Sequence, residues 1–549
     1  MKTISEKIKS IALELTGIKS VVGSKGEIVI AERIYEILKQ LDYFKQNPQN
    51  VMLCDLKNDK LGRKNVVAYI EAEKYTPETI LLLGHIDTVG IDDYGELKQF
   101  ATKPELLKRE FGQRNIGAEI IKDVESDNWI FGRGLFDMKY GVAALTVMME
   151  QFGNLANKIN GNIVFIAVPD EEGDSGGMLS AVQTIAELAD EKSWEFVAAI
   201  DADYMTDAYP GDEKKYVYVG TVGKLLPSFY VFGKETHVGQ AFDGFDANLL
   251  ASKIVSEINL KPDLSDIVDG EVTQPPVSLY QRDLKAEYSV QTAHEANMYM
   301  NFATHSVEPG AVLEILKEKT KKAFEDTIEC MNTNYKEFCE ISDIPFENLP
   351  WKVNVLTFEE LYSNVREEMG KAIDDKLNCL VEELLSIQEM DEREFSLRVI
   401  QEVHKYYSNR DPIVVIYFNP PYYPHIYVKG ETEREKRLLK AINSAVNETK
   451  MVYNYEIEIK KFYPYISDLS FCGIAEGEQG VDKLIDNMPA WPKKYRLPVE
   501  AIRSISMPVV NIGPYGRDAH KLTERLSKAY SFDAMPMLLY KTINNLIGS

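Results

Sequence analysis

The sequence predicts an α/β protein in which a mixed, mostly parallel sheet is covered by helices and a second, α+β domain is inserted into the first. Short apolar runs alternate with helical patterns over residues 1–215, whereas residues 216–428 carry long alternating segments and charged helices. An apolar run typical of a buried strand, PVVNIGPYG, returns near the C-terminus. Because strands separated by helices favour a parallel sheet with both faces covered, we expect the first and last parts of the chain to form one domain.

In the first part of the chain, the spacing of apolar residues separates helices from strands. Helical spacing occurs at residues 28–41 and 141–152. Short continuous apolar runs predict buried strands at residues 65–70, 79–83, 162–168 and 196–200. The run at 79–83 is the most informative, because it must be buried and is followed directly by His85 and Asp87.

Residues 216–428 are expected to form an inserted lid domain with a small antiparallel sheet and helices on one face. The segments YVYVGTVGKLLPSFYVFG and AEYSVQTAHEANMYMNF predict its strands, and residues 247–258 predict a helix. A helical stretch at 341–411, rich in charge pairs at helical spacing, enlarges this domain. Residues 429–549 then complete the first domain.

The composition excludes several classes of partner. Lys plus Arg number 62 against 86 for Asp plus Glu, and the net charge of -24 repels nucleic-acid phosphates. Charged residues interrupt the N-terminal segment MKTISEKIKSIALELTG, and no later apolar run approaches the length of a membrane helix. The 5 cysteines are widely spread without a CxxC pair, which is typical of free thiols in a reducing compartment. We therefore expect a cytoplasmic protein with no nucleic-acid and no membrane partner.

Potential metal ligands follow four separate strand-like runs. These residues are His85, the group Asp170-Glu171-Glu172, the pair Asp201 and Asp203, and His520. Asp137, in GRGLFDMKYG, directly precedes a helix and is either its N-cap or a fifth contributor. Because ligands bind beyond the carboxyl ends of strands in an open parallel sheet, we expect these side chains to converge despite their separation in sequence.

Two histidines with several carboxylates suit a pair of divalent metal ions. Imidazole nitrogen and carboxylate oxygen are ordinary zinc ligands, and one carboxylate can bridge two ions, so zinc is the first choice. Asp87 lies on the same side of its strand as His85 and can fix the tautomer of the imidazole. Neighbouring side chains such as Glu171 and Glu172 point in different directions, so one can bind metal while the other acts as general base.

The letters GDSGG at residues 173–177 also occur around the nucleophile of trypsin-like serine proteases. That mechanism needs an all-β chain with a histidine and an aspartate N-terminal to the serine. Ser175 follows an α/β pattern instead, and His85 is the only histidine before it. We therefore reject this interpretation.

Five motifs identify a resemblance to a known family. GHIDTVG, GRGLFDMKYG, PDEEGDSGG, GKETHVG and GRDAHKLTE occur in this order. Together they resemble the cocatalytic zinc amidohydrolases that include aminoacylase, carboxypeptidase G, peptidase T and succinyl-diaminopimelate desuccinylase. The length and the extra helices look most like the members of that family linked to arginine utilisation.

The resemblance implies a dinuclear centre with a separate general base. It assigns His85, Asp137 and Asp201 to one ion, and Glu172, His520 and the shared Asp137 to the other. Glu171 would be the general base and acid, and Asp87 would orient His85. Asp203 is the alternative to Asp201, which is favoured because it directly follows the apolar run.

The resemblance also implies a lid that can dimerise and lend residues to the active site. His237, in GKETHVG, would approach the substrate carbonyl oxygen as an oxyanion donor, and Asn248 would lie near the substrate. The arginine that commonly grips the substrate carboxylate has no counterpart in HEANMYMNFATHS, so Arg282 or Lys285 is the candidate replacement. Tyr140 stands where relatives usually have a second glycine and is expected to crowd the site.

The predicted function is hydrolysis of an amide or peptide bond in a small substrate, such as an N-acyl amino acid, a dipeptide or an arginine-related compound. It would use two divalent ions, zinc first and cobalt or manganese otherwise, a metal-bound hydroxide, and Glu171 as general base. The alternative is a catalytically silent protein on the same fold that binds small molecules. The presence of Glu171 beside all the candidate ligands argues against this alternative.

Overall fold

The computed structural model describes residues 3–387 and 389–548. The chain divides into two compact units. The first unit comprises Met1–Val222, His425–Ile474 and Pro498–Ser549, and the second comprises Gly223–Pro424 and Ala475–Leu497. The second unit therefore contains the bulk of the predicted insertion, together with a later segment that the sequence analysis placed in the first domain.

The segment Ala475–Leu497 joins the second unit through contacts that no sequence pattern reveals. The backbone N–H of Phe418 donates to the carbonyl oxygen of Asn487 at 2.7 Å. The helix Glu478–Asp486 also packs against the long helix Pro309–Ser342. These contacts attach the segment to the second unit, whereas the sequence analysis expected residues 429–549 to complete the first domain.

The strands are numbered in chain order. They are β1 (Val51–Asp55), β2 (Lys64–Ile70), β3 (Glu78–His85), β4 (Trp129–Phe131), β5 (Asn162–Val168), β6 (Glu195–Asp201), β7 (Lys215–Tyr218), β8 (Gly220–Thr221), β9 (Gly223–Phe232), β10 (Ile267–Val268), β11 (Glu271–Val272), β12 (Val277–Asp283), β13 (Glu295–Thr304), β14 (Val355–Thr357), β15 (Ile413–Tyr423), β16 (Ile426–Tyr427), β17 (Ile457–Lys460), β18 (Val509–Asn511), β19 (Gly516–Arg517) and β20 (Arg525–Ser527). Strands β9 to β15 belong to the second unit and the others to the first.

The α-helices are numbered in the same way. They are α1 (Ile4–Thr16), α2 (Gly26–Lys39), α3 (Asp42–Gln46), α4 (Pro104–Phe111), α5 (Ala118–Glu125), α6 (Tyr140–Gly153), α7 (Gly176–Lys192), α8 (Ala247–Ile258), α9 (Pro309–Ser342), α10 (Phe358–Met369), α11 (Ala372–Ser386), α12 (Glu392–Lys405), α13 (Glu433–Tyr453), α14 (Glu478–Asp486), α15 (Val499–Ile505) and α16 (Met535–Ile547). Within the described ranges, no helix combines the length and the apolar character needed to cross a membrane.

A mixed sheet forms the centre of the first unit. Its strand order is β1-β2-β5-β3-β6-β18-β7-β17. Strands β5, β3, β6 and β18 run parallel to one another, whereas β1 and β2 pair antiparallel. The prediction of a mixed, mostly parallel sheet is confirmed.

Strand β3 lies between β5 and β6 in this sheet, parallel to both. Leu81, Leu82 and Leu83 are fully buried, because both faces of the sheet are covered and consecutive residues point to opposite faces. In the ladder, His85 pairs with Val168 of β5 and Leu83 pairs with Asp201 of β6. The carboxyl ends of these three strands therefore meet at one edge of the sheet.

The second unit contains a five-stranded sheet with the order β12-β13-β9-β15-β14. The pairs within β12, β13, β9 and β15 are antiparallel, and only β14 joins parallel to β15. Helices α8 and α9 pack against each other, and α8 also contacts β12 and β13. Helices α10, α11 and α12 account for most of the predicted helical stretch at 341–411.

Candidate metal centre

The edge of the first-unit sheet brings a histidine and two aspartates together. His85 is the last residue of β3, and its Nε2 lies 3.0 Å from Oδ1 of Asp137. Asp203 follows β6 by two residues and completes the group. All three residues are buried, and their candidate ligand atoms lie within 4.8 Å of one another.

A second group shares Asp137 with the first. Nε2 of His520 lies 2.9 Å from Oδ2 of Asp137 and 3.0 Å from Oε1 of Glu172. The two oxygens of Asp137 thus face different histidines, His85 and His520. A carboxylate in this position can bridge two cations, each held by one histidine and one further carboxylate.

Asp87 supports both the histidine and the glutamate pair. Its Oδ1 lies 3.6 Å from Nδ1 of His85. The same carboxylate accepts the backbone N–H groups of Glu171 at 3.2 Å and of Glu172 at 3.1 Å. Asp87 is fully buried, so its orientation is fixed by these neighbours. One carboxylate therefore connects the end of β3 to the loop after β5.

Glu171 stands beside the two groups without belonging to either. Its Oε2 lies 4.0 Å from Nε2 of His85. Burial raises the pKa of its carboxyl well above the ordinary value, and the nearby charge of Glu172 raises it further. Such a carboxyl can hold a proton near neutral pH, as a general acid or base must.

The first group contains Asp203, whereas the sequence analysis favoured Asp201. The side chain of Asp201 accepts the Ser467 hydroxyl at 3.0 Å and the N–H of Ala202 at 2.7 Å. The Asp203 carboxylate accepts the hydroxyl of Tyr463 at 3.0 Å. Strand β6 ends at Asp201, so the alternation of a strand no longer decides where the following side chains point.

The electrostatics of the site fit bound cations. Burial raises the pKa values of Glu172 and Asp203, and the charge of Asp137 raises both further. Burial opposes the ionised form of Asp137 as well, but hydrogen bonds from His520 and His85 lower its pKa. The site therefore concentrates buried carboxylates beyond what two histidines can neutralise, and divalent ions would supply the missing positive charge.

Tyr140 packs against the segment that precedes α16. It is fully buried, its hydroxyl donates to the carbonyl oxygen of Ser531, and its ring meets Phe532 edge-on with centroids 5.1 Å apart. Gly141, the next residue, lies close to the backbone: an added Cβ would stand 2.2 Å from the carbonyl oxygen of Ala202. A side chain at position 141 would clash with the backbone, so glycine is required there.

The predicted substrate contacts lie in the second unit. His237 is exposed, and its Nδ1 accepts the N–H of Gly239 at 3.0 Å. Asn248, in the first turn of α8, donates to Asp283 at 3.2 Å. Arg282 is exposed and lies 4.0 Å from Glu394, whereas Lys285 donates to nearby backbone carbonyls.

Two features of the site have only a weak signal in the sequence. Arg63 is a buried cation that donates to Asp170 at 2.6 Å and thereby fixes the residue before Glu171. Asp468, in YISDLSF, is buried in a short helical turn that packs against β3 and β6. Asp468 could have been noticed in the sequence, because it is an acidic residue among apolar neighbours. Arg63 could not, because it lies in an ordinary polar loop.

Comparison with known proteins identifies the family of the chain. A family model described as "Peptidase family M20/M25/M40" matches residues 81–530. Protein RocB of Bacillus subtilis is 33% identical over 99% of this chain and 96% of its own length. The uncharacterized protein YqjN of the same organism is 34% identical over the same shares.

Solved structures share the fold at low sequence identity. The aminopeptidase PepT from Bacillus cereus has a TM-score of 0.53 and 14% identity, covering 99% of this chain and 98% of its own. An M20 family metallo-carboxypeptidase from Sulfolobus solfataricus has a TM-score of 0.51 and 12% identity, covering 97% and 99%. The family model and the two full-length relatives together show that the chain belongs to peptidase family M20/M25/M40.

Proposed function

We propose that the protein hydrolyses an amide or peptide bond of a small substrate with two divalent metal ions. The observation that carries the proposal is the position of Asp137, whose two oxygens contact His85 and His520. Asp203 would complete the set around one ion and Glu172 the set around the other. Zinc suits these nitrogen and oxygen ligands best, with cobalt or manganese as substitutes.

The bound ions would polarise the substrate carbonyl and activate a water molecule. The protein supplies proton transfer through Glu171, which lies outside both ligand groups. Because burial raises the pKa of Glu171, its carboxylate can take a proton from water and then deliver that proton to the leaving amine. Asp87 holds the Glu171 backbone N–H and so keeps this carboxylate in place.

His237 suits the role of oxyanion donor. Because its Nδ1 accepts the N–H of Gly239, the neutral imidazole carries its proton on Nε2. An N–H group at Nε2 would donate to a substrate carbonyl oxygen. Asn248 and Arg282 are the candidate contacts to the rest of the substrate, which would be an N-acyl amino acid, a dipeptide or an arginine-related compound.

The second unit offers a surface for a homodimer. Strand β12 is at the edge of its sheet, and Val277 and Leu279 on this strand are 36% and 53% exposed. An edge strand with exposed apolar side chains is a template for pairing with another chain. A second copy of the protein is the partner we propose for it.

The substitution Glu171→Gln tests the proposed function. The variant should keep its metal ions, because Glu171 is not a ligand, and should lose hydrolysis by about 10²–10⁴-fold. Hydrolysis is measured on a panel of N-acyl amino acids and dipeptides, and metal content by elemental analysis. Glu187→Gln, an exposed glutamate on α7, is the matched control and should keep full activity.

Two results would contradict the proposal. Turnover that survives Glu171→Gln unchanged would remove Glu171 from the mechanism. If no substrate is hydrolysed but small molecules raise the melting temperature, the protein is a binding protein on a peptidase fold.

A further inference from the structure

Asp468 is a buried carboxylate without a hydrogen-bond donor. It is only 3% exposed, and within the described ranges neither of its oxygens has a hydrogen-bond partner. A buried, unpaired carboxylate is costly, because ionised groups lose their hydration inside a protein. A hydrogen-bond donor from outside the chain would relieve this cost.

Asp468 lies on an element that packs against the strands of the candidate metal centre. The short helical turn Asp468–Cys472 packs against β3, β6 and β18, whose carboxyl ends carry the site. The charges that act most strongly on Asp468 are those of His85 and Asp201. The Asp468 charge acts in turn on Glu171. Asp468 thus lies within electrostatic reach of the general base.

The other carboxylates near Glu171 already have partners. Asp201 accepts the hydroxyl of Ser467, and Asp87 accepts two backbone N–H groups. Asp170 pairs with Arg63, and the carboxylates of Asp137, Glu172 and Asp203 belong to the two ligand groups. Among the residues that the structure describes, neither oxygen of Asp468 has a hydrogen-bond donor.

The segment that carries Asp468 is fixed in place and has an aromatic character. The Ser467 hydroxyl bonds to Asp201 at 3.0 Å and accepts the N–H of Leu469 at 3.2 Å, so the turn is held on both sides of Asp468. Tyr463 and Tyr465 precede it, with ring centroids 5.4 Å apart. A rigidly held carboxylate suits a charged N–H group as its partner.

We propose that Asp468 forms a cation subsite beside Glu171, which binds a protonated amine or guanidinium group of the substrate. The charged N–H groups would donate to the two free oxygens of Asp468. The inference rests on the proposed hydrolase function and narrows it to substrates that carry a positive charge near the scissile bond.

Matched pairs of substrates test the subsite. Nα-acetylarginine is compared with Nα-acetylcitrulline, Nα-acetyllysine with Nα-acetylnorleucine, and dipeptides with their N-acetylated forms. In at least one pair, wild-type protein should have a higher kcat/KM for the charged member. Asp468→Asn should reduce that ratio of charged to neutral kcat/KM by about 10–100-fold, the range expected for losing a hydrogen bond to a charged group. Metal content, measured in parallel, should not change.

Asp212→Asn is the matched control. Asp212 is also buried in the first unit, but it accepts the N–H groups of Ala208 and Lys214 and the hydroxyl of Tyr216. Asp212→Asn should leave the ratio of charged to neutral kcat/KM unchanged. The subsite would be overturned if Asp468→Asn lowered kcat/KM equally for the charged and the neutral member of every pair. It would also be overturned if the wild-type protein preferred neither member in any pair.

Binding separates a failure of the subsite from a failure of the hydrolase function. Calorimetry with L-arginine against L-citrulline and L-lysine against L-norleucine needs no turnover. The subsite is supported if the wild-type protein binds a charged amino acid more tightly than its neutral partner and Asp468→Asn does not. This holds even if nothing is hydrolysed. Equal binding of both members overturns it, whereas turnover that survives Glu171→Gln counts against the hydrolase function alone.

Discussion

Replacement of Arg63 by methionine should be among the most damaging changes in the chain. The guanidinium lies 2.6 Å from Asp170, 3.2 Å from Glu27 and 2.8 Å from Asp59, and its side chain is only 11% exposed. Methionine keeps much of the side-chain volume but leaves buried carboxylates without a cation. Removing one partner of a buried ion pair costs about 3–5 kcal/mol. Three carboxylates share this cation, so we expect the upper part of that range.

Arg33→Met is the control for this experiment. Arg33 pairs with Glu14 at 2.5 Å, but their side chains are 44% and 42% exposed. An exposed pair contributes about 0–1 kcal/mol, because water and salt screen it. Urea denaturation followed by circular dichroism gives the free energy of unfolding of both variants. Equal losses in the two variants would refute the reasoning that burial makes the Arg63 network strong.

The same substitution should also affect the candidate site. Asp170 has a φ of 74°, its carboxylate accepts the N–H of Gly176 at 3.0 Å, and it directly precedes Glu171. Without Arg63, the turn loses the hydrogen bond that holds the Asp170 side chain. We expect kcat to fall by about 10–100-fold in protein that is still folded, as displaced catalytic groups generally cause. An unchanged kcat would show that Asp170 does not position the loop.

Three further predictions concern the same unit and the lid. Burial raises the pKa of Glu27 from 4.5 to about 7, so the folded state binds the proton more tightly than the unfolded state. The free energy of unfolding should therefore decrease as the pH rises from about 4.5 to 7, with a contribution from this residue of up to roughly 3 kcal/mol. In Glu27→Gln, urea titrations should show a smaller decrease over the same pH range. Asp203→Asn should weaken the binding of one metal ion in equilibrium dialysis more than Asp201→Asn does, and the reverse order would restore Asp201 as the ligand. His237→Ala should lower kcat by about 10²–10³-fold at unchanged metal content and melting temperature, because its side chain is exposed, and retained kcat would exclude it as an oxyanion donor.

The strands of the first unit could be predicted well because burial imposes a continuous apolar run. The run predicted at 162–168 coincides with β5, and the run at 79–83 lies inside β3. Strand direction was predicted less well. β2 pairs antiparallel with β5, and a buried run looks the same in either direction.

The residues of the candidate site could likewise be predicted only in part. His85 follows an apolar strand and stands out among 7 histidines, so its position could be predicted from the sequence. The sequence alone does not decide between Asp201 and Asp203 as the ligand, because the Ser467 hydroxyl that bonds to Asp201 comes from a segment more than 260 residues away. Arg63 and Asp468 were missed as well, since Asp170 lies 107 residues from Arg63 and the strands that pack against the Asp468 turn come from distant parts of the chain.

Titration of the metal-free protein with zinc tests the central claim most directly. The account predicts about two ions per chain, because the two groups need separate ions and share Asp137. Asp137→Ala should weaken both binding events together, whereas Asp212→Asn, at a buried carboxylate with its own donors, should change neither. Binding of a single ion by the wild-type protein, or of two ions with unchanged affinity by Asp137→Ala, would contradict the shared site.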